Sequence, residues 1–582
     1  MTAVPRRLRR WPLAVVLILL AGCASLPTDG PVVEREPDQQ EQQPVATGID
    51  ARPPAAGATR SEIVAGFLDA MTSWPIQTSV AKQYLTTAAA GQWNPERSTT
   101  VYGESLPPRE TGSTVTVQLS RADRLDAVGA WSGAVPESEL TVSFELAVED
   151  GEYRIANPPD ALLVPSSWFQ QRYRQMSLYY FDRGGTTLVP EPVFVPTGDQ
   201  LATRLVDSLI NGPPVRARGV VRTFLPTGDD AGLSVPVNRD GIAQVTLGGD
   251  ALRLSAQGAD RMLAQLAWTL HQDPDITAIR VTVGGEEVPL PGGVAQYSVD
   301  EAGQYDAVEA AGSPQLFGLS AGRLVGDSQG DLGPVSGTFG DEDAGLQAVA
   351  VRPDDQRAAV VDSSRRVRIG PVQQENDSPE PRTLLSGGDY ARPTWDTAGR
   401  LWILDRRAGR AVVWLVEGDR PPRRVTVPGL TGTATRSLTV SRDGTRLVGV
   451  VGTSHGDEVR SVRVVLGGRG RVLRAQMPVV VRHTQGTRIV DLAWVADTRV
   501  ALLTATAPGS LYEVDVVSAD GAAVGVDTLA TVVTGKVVGI AGAPTEGAPM
   551  FAVYEDSYTD IVSSEEESAG RATPLSQLDY VG

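Results

Sequence analysis

Residues 346–362 read LQAVAVRPDDQRAAVVD: an apolar strand pattern, a Pro-Asp-Asp turn, then a second apolar strand pattern. Four more stretches lie over it. They are YARPTWDTAGRLWILD (390–405), TRSLTVSRDGTRLVGVV (435–451), RIVDLAWVADTRVALLT (488–504) and a weaker KVVGIAGAPTEGAPMFAVY (536–554). Matching points at Val351, Thr394, Val440, Ala493 and Ile540 recur every 43, 46, 53 and 47 residues. A period in the forties, with two or more strands visible in each, predicts a β-propeller of four-stranded blades. A further strand pair around Leu316 to Leu324 completes the ring, giving an expectation of five to seven blades over residues 312–582.

At the other end, residues 6–30 read RRLRRWPLAVVLILLAGCASLPTDG. Arg6, Arg7, Arg9 and Arg10 precede an apolar run from Trp11 to Leu20, which is too short to cross the roughly 30 Å hydrocarbon core as a helix. The run ends at Cys23, the one cysteine of 582 residues. Leu20-Ala21-Gly22-Cys23 resembles the lipobox of bacterial lipoproteins. That resemblance implies a signal peptide over 1–22 and a mature N-terminus at Cys23, carrying S-diacylglycerol and an N-palmitoyl chain. Multiple acyl chains give a stable anchor where a single one holds marginally. Lack of any other thiol suits an exported protein, which then forms no stray disulfides.

Residues 23–58 hold this cysteine and a Pro-, Gln- and Glu-rich stretch, read as a disordered tether. Order is expected from Thr59, which with Glu62 forms a capping box ahead of the face Ile63, Val64, Phe67, Leu68 and Met71. A second helix is expected to carry Val80, Tyr84, Leu85 and Ala88. Leu140, Val142, Phe144, Leu146 and Val148 alternate as a strand, turned at Asp150-Gly151 into Tyr153 and Ile155. Helices followed by a curved antiparallel sheet make residues 59–175 resemble an NTF2-like α+β domain.

In residues 176–300 a hairpin about Gly184-Gly185 precedes a helix with Leu201, Leu205, Val206 and Leu209, closed by Asn211-Gly212-Pro213. Strands are expected over Leu233 to Val237 and Ala243 to Leu247, then a helix from about Ala259 to His271 and a final strand in ITAIRVTVGGEEVPLP. LATRLVDSLINGPP, RTFLPTG and ADRMLAQLAWTLHQDPDITAIRVTVGGEEVPLPGG, in this order, resemble the GerMN domain, an α/β module regarded as a non-enzymatic binding or assembly unit. His271 at the helix end reads as a surface residue.

Lipobox, NTF2-like domain, GerMN domain and propeller, in that order, resemble the actinobacterial lipoprotein family called LpqB. The resemblance implies a multi-domain, membrane-anchored extracytoplasmic protein, accessory to the MtrA–MtrB two-component system through contact with the sensor kinase MtrB. Cys23 is the one site residue it carries over. Net charge of −18 excludes a broad grip on nucleic acid or on anionic lipid.

The competing reading is a propeller that binds or processes envelope polymer. It would need carboxylates, histidines or aromatics lining the central channel, with Trp395, Trp402, Trp414 and Trp494 as stacking candidates. No catalytic residue, cofactor or metal is expected. GLSAG (318–322) and GTSHG (452–456) match G-x-S-x-G, but neither Ser320 nor Ser454 is followed by the helix that a nucleophile elbow requires. His455 and His483 fall in blade loops. The acidic stretches near Asp229 and Asp341 lack the oxygen spacing of a calcium loop, and SSEEES from Ser563 reads as a hydrated loop.

Overall fold

The computed structural model describes residues 51–226, 233–249, 255–288, 296–306, 315–328, 331–340, 345–374, 379–523, 530–545 and 547–582. Cys23, its signal and the tether to residue 50 lie outside the described residues, as do Asp229 and Asp341. Residues 49–582 form one compact unit.

Thr59 caps the first described helix, Arg60–Ala70, through both halves of a capping box. Its hydroxyl oxygen accepts the Glu62 N–H, and its own N–H donates to Glu62 Oε2 at 2.8 Å. Ile63, Val64 and Phe67 are wholly buried against the sheet. The expected second helix divides into Ser79–Lys82 and Thr87–Gln92. Between them the backbone leaves the helix: Tyr84 O and the Thr86 N–H both bond Ile155, each at 2.9 Å. A ladder contact to a distant strand there overrides the local helical pattern.

Strands Thr141–Glu149 and Glu152–Ile155 meet at the two-residue turn Asp150-Gly151, where both φ angles are positive, 54° and 84°. That is the turn whose twist matches a hairpin. Strand Ser98–Ser105 pairs antiparallel with Thr114–Asp126 and parallel with Leu162–Pro165. The sheet is therefore mixed rather than purely antiparallel.

The middle domain opens with the hairpin Tyr173–Asp182 and Leu188–Pro196. Asp182 builds its turn by accepting the N–H groups of Gly184, Thr186 and Thr187 at 2.7–3.1 Å. Helix Leu201–Ile210 follows, with Gly212 in the left-handed region just beyond it, φ 85°. Residues 233–237 supply only an isolated bridge from Val237 to Ala243, because Pro236 has no N–H to give a ladder. Strands Ile242–Leu247 and Ala278–Val283 run parallel, joined through helix Ala256–Leu270. Met262, Leu263, Leu266 and Leu270 of that helix are wholly buried.

Among the described residues, 316–580 form six antiparallel sheets of four or five strands. The inner strands Leu346–Val351, Thr394–Trp395, Thr435–Val440, Arg488–Ala496, Gly539–Ala541 and Leu575–Tyr580 touch in succession, and the last touches the first. The molecule thus carries a six-bladed propeller. The final strand belongs to the same blade as the first three, pairing Leu575–Tyr580 with Leu316–Ser320 and closing the ring. Register sets the equivalent blade positions one residue beyond the sequence alignment at three points, at Trp395, Trp494 and Ala541.

Candidate functional site

Four inner strands turn into the next strand through a short loop, and the first residue after the loop is an arginine in those blades. In the blade of Thr394–Trp395 this is Arg400. Its Nε donates to Asp396 Oδ2 at 2.6 Å, and both side chains are at most 5% exposed. In the next blade the equivalent pair is Ser441 and Arg446, matched by the backbone bonds Asp396 N to Arg400 O and Ser441 N to Arg446 O. Ser441 Oγ accepts only the backbone N–H of Arg446, at 3.0 Å. The Arg446 guanidinium keeps Asp443 of its own turn at 3.9 Å and also reaches outside its blade.

It reaches the middle domain. Arg446 Nη2 lies 3.3 Å from Glu191 Oε2, with both side chains 1% exposed, and it also donates to Pro190 O. Arg463 binds the same carboxylate with both guanidinium nitrogens, Nη1 to Oε1 at 2.6 Å. Burial, reinforced by the charge of Arg463, pulls Arg446 below its ordinary value. One acid between two arginines is a strongly desolvated arrangement, tolerable only while the partners stay together.

Around it Tyr179 Oη donates to Asp497 Oδ2 at 3.0 Å, and Gln175 Nε2 donates to Ser518 Oγ at 2.9 Å. Burial and the nearby carboxylate of Asp306 push Asp497 up to about 7. The hairpin of the middle domain therefore sits on the channel mouth formed by Asp443, Asp497 and Pro544, with about 10 Å³ of space between them.

Deeper in the channel Arg392 spans two blades. Its Nη2 donates to Asp491 Oδ1 at 2.9 Å, and its Nη1 lies 3.1 Å from Asp579 Oδ2. Arg442 donates to Val581 O, and the Gly582 N–H donates to Val351 O at 2.7 Å. The C-terminal residues thus occupy the channel, leaving about 40 Å³. One water needs roughly 10–15 Å³ measured this way. That space holds a few waters and no sugar ring.

The tryptophans proposed for stacking are spent on structure. Trp395, Trp402 and Trp494 are at most 7% exposed. Trp395 Nε1 donates to Ala350 O at 3.2 Å, and half-buried Trp414 is covered by Arg424. Ser320 ends strand Leu316–Ser320, and Ala321-Gly322 turns directly into strand Arg323–Ser328. Ser454 and His455 form the two-residue turn between strands Arg446–Thr453 and Gly456–Leu466. Ser454 Oγ lies 3.0 Å from His455 Nδ1, yet both are exposed at a loop tip, with no acid among the described residues orienting the imidazole. His271 caps its helix and His483 lies on an edge strand, both largely exposed. SSEEES forms an exposed edge, Glu566–Ser568.

Sequence reasoning passed over Glu191, Arg446, Arg463 and Arg392. A signal for the first was present: a lone carboxylate in VPEPVFVP, a strand otherwise apolar on both faces.

A half-open cleft of about 410 Å³ lies between the first domain and helix Leu201–Ile210. Leu125, Leu162 and Phe194 give it apolar walls, and Tyr173, Arg204 and Ser208 line it as well. Asp126, at its edge, has its carboxylate engaged by the N–H groups of Val128 and Ala130 at 3.1 and 2.9 Å.

Residues 53–170 match the family model described as the lipoprotein LpqB N-terminal domain. Residues 177–289 match the model for sporulation and spore germination, and 322–554 the lipoprotein LpqB beta-propeller domain. Lipoprotein LpqB of Thermobifida fusca (strain YX) is 32% identical, with 95% of each chain covered. Lipoprotein LpqB of Streptomyces coelicolor is 29% identical, over 94% of this chain and 95% of that protein. The tandem GerMN domains of the sporulation protein GerM from Bacillus subtilis align with 22% of this chain and 45% of that one, at 22% identity and a TM-score of 0.18.

Proposed function

Since this chain belongs to the lipoprotein LpqB family, we propose that it is an accessory protein of a sensor kinase, held at the extracytoplasmic face of the membrane by lipid on Cys23. Residues 1–22 are removed as a signal and residues up to about 50 tether the folded unit, because residues 51–58, expected as tether, pack on the first domain: the Tyr84 hydroxyl donates to Arg52 O and the Gly57 N–H to the Glu152 carboxylate. The partner is the extracytoplasmic domain of the kinase MtrB, and the contact is non-covalent.

The sealed channel carries this reading. A propeller whose channel is filled by Arg392, Arg442 and its own C-terminal residues offers no substrate pocket along its axis. What it offers is a rigid outer surface, locked to the middle domain by Glu191. The envelope-polymer reading needed an accessible lined channel, and three of its candidate tryptophans, Trp395, Trp402 and Trp494, are in the blade core. Coupling then works through populations: a protein that binds one signalling state of the kinase better than the other shifts the balance by its difference in affinity, about tenfold for each 1.4 kcal/mol.

The test titrates residues 24–582 with the purified extracytoplasmic kinase domain by calorimetry, and then measures kinase autophosphorylation in vesicles with and without the lipoprotein. Saturable heat together with a changed rate supports the assignment. Absence of both at tens of micromolar rejects direct docking.

A further inference from the structure

We propose that a surface shared by two neighbouring blades, around the turn of residues 418–422 and strand Val472–Ala475, docks on anionic lipid headgroups. The proposal rests on the lipid-anchored part of the function given above and is independent of the kinase contact.

The stretches EGDRPPRRV (417–425) and GGRGRVLRA (467–475) hold six arginines against two acids, in a chain whose net charge is −18. Folding joins them across the blade boundary. Glu417 Oε1 accepts the Val472 N–H at 3.1 Å, and Arg423 Nη2 donates to Val472 O at 2.9 Å. Both acids are already engaged. Glu417 Oε2 accepts from Arg423 Nε at 3.1 Å, and Asp419 lies 3.7 Å from Arg382. Arg420, Arg424, Arg471 and Arg474 are exposed, and among the described residues none of the four makes an ion pair. The Arg424 guanidinium lies 4.9 Å from the centre of the Trp414 ring, which holds it in place without neutralising it.

Beside these cations stand two exposed apolar side chains, Leu473 at 59% and Met477 at 77%. That combination selects a lipid surface. Leu473 and Met477 have hydrocarbon to enter beneath the headgroups, while the guanidinium groups stay at the level of the phosphates. A soluble polyanion would pair the arginines and leave both apolar side chains in water. Each arginine near an anionic surface contributes roughly fivefold in affinity.

The rest of the chain is acidic, so the contact is confined to this face. It orients the folded unit on the membrane rather than adding a second anchor. From Cys23 to Ala51 the chain extends at most about 90–100 Å, enough for this face to turn to the membrane.

The experiment uses residues 24–582, which keep the whole compact unit and lack Cys23. Cosedimentation is measured with vesicles of phosphatidylcholine alone and with about one-third phosphatidylglycerol. Binding is expected to be at least about tenfold stronger to the anionic vesicles and to weaken as salt rises. Arg471→Gln with Arg474→Gln is expected to remove most of that difference, and Arg420→Gln repeats the charge test in the other stretch. Arg109→Gln, at an exposed position of the first domain, is expected to change nothing. Leu473→Ser with Met477→Ser is expected to weaken vesicle binding several-fold and leave binding of inorganic polyphosphate unchanged. Equal binding to both vesicles, equal losses from Arg109→Gln and the blade variants, or no sedimentation at about 1 mM anionic lipid overturns the proposal. So does vesicle binding that ignores the Leu473 and Met477 substitutions, which would assign the arginines to a soluble polyanion. Acylation of Cys23 is read separately, from detergent-phase partition of the full chain and its loss in Cys23→Ala, so failure of the anchor and failure of this surface are told apart.

Discussion

Arg446 and Glu191 lie in different domains, 3.3 Å apart and both 1% exposed, and they are joined because Ser441 stands where the preceding blade has Asp396. With only the looser Asp443 at 3.9 Å in its own blade, Arg446 also fastens the propeller to its neighbour.

Removing Glu191 leaves two arginines without their acid in a buried seam. Glu191→Ala is expected to cost about 3–5 kcal/mol, the usual penalty for an uncompensated buried charge. Adding Ser441→Asp to that variant is expected to recover part of the loss, because Arg446 regains the kind of partner Arg400 has in Asp396. Urea unfolding of both variants checks this; an additive or larger loss in the double variant would contradict the seam as described.

Acidity of the seam sets a pH dependence. Asp497 is raised to about 7 by burial, and Asp579 to about 6 for the same first cause. An unfolded aspartate titrates near about 3.9. Between about pH 4 and pH 7 the folded state therefore holds more protons than the unfolded one, and stability falls as pH rises through that window. Asp497→Asn keeps an oxygen for the Tyr179 hydroxyl and is expected to flatten the fall between pH 6 and 7. Melting temperatures measured from pH 5 to 8 report it.

Ring closure depends on an absent side chain. A Cβ at Gly318 would stand 2.2 Å from Gln577 O on the closing strand. Gly318→Ala is expected to destabilise by about 1–3 kcal/mol, through displacement of backbone that cannot relax locally. Deleting residues 575–582 is expected to expose the edge of Leu316–Ser320 and cause aggregation. Light scattering of the truncated protein decides the second expectation, and thermal unfolding the first.

Neither serine of the two G-x-S-x-G matches is expected to act as a nucleophile. Ser320 is buried within a hairpin, and Ser454 at a loop tip has only the adjacent His455 beside it. A fluorophosphonate probe should leave both unlabelled, and labelling of Ser454 that is lost in Ser454→Ala would contradict this.

Much of the fold could be read from local patterns. Thr59 and Glu62 announced a helix start, Asp150-Gly151 a hairpin and the period in the forties a propeller, because caps, two-residue turns and strand alternation are fixed by neighbours in sequence. Two readings failed where a distant strand intervened. Tyr84 and Leu85 leave their helix for a contact with Ile155, and the blade equivalences at Thr394, Ala493 and Ile540 fall one residue early because cross-strand register sets them. A slip of one residue moves a side chain to the other face, so Trp395 and Trp494 belonged at the positions first given to their neighbours.

The sequence by itself determined the domain order, the strand and helix pattern of each domain, and the placement of one cysteine behind a short apolar run. Each rests on spacing along the chain. Only the tertiary structure decided that Arg446 faces Glu191 and that the C-terminal residues lie in the channel. Arg463 and Glu191 are 272 positions apart. A charge buried that far from its partner in sequence leaves no periodic trace; its cost and its purpose exist only once two domains have packed and excluded water between them.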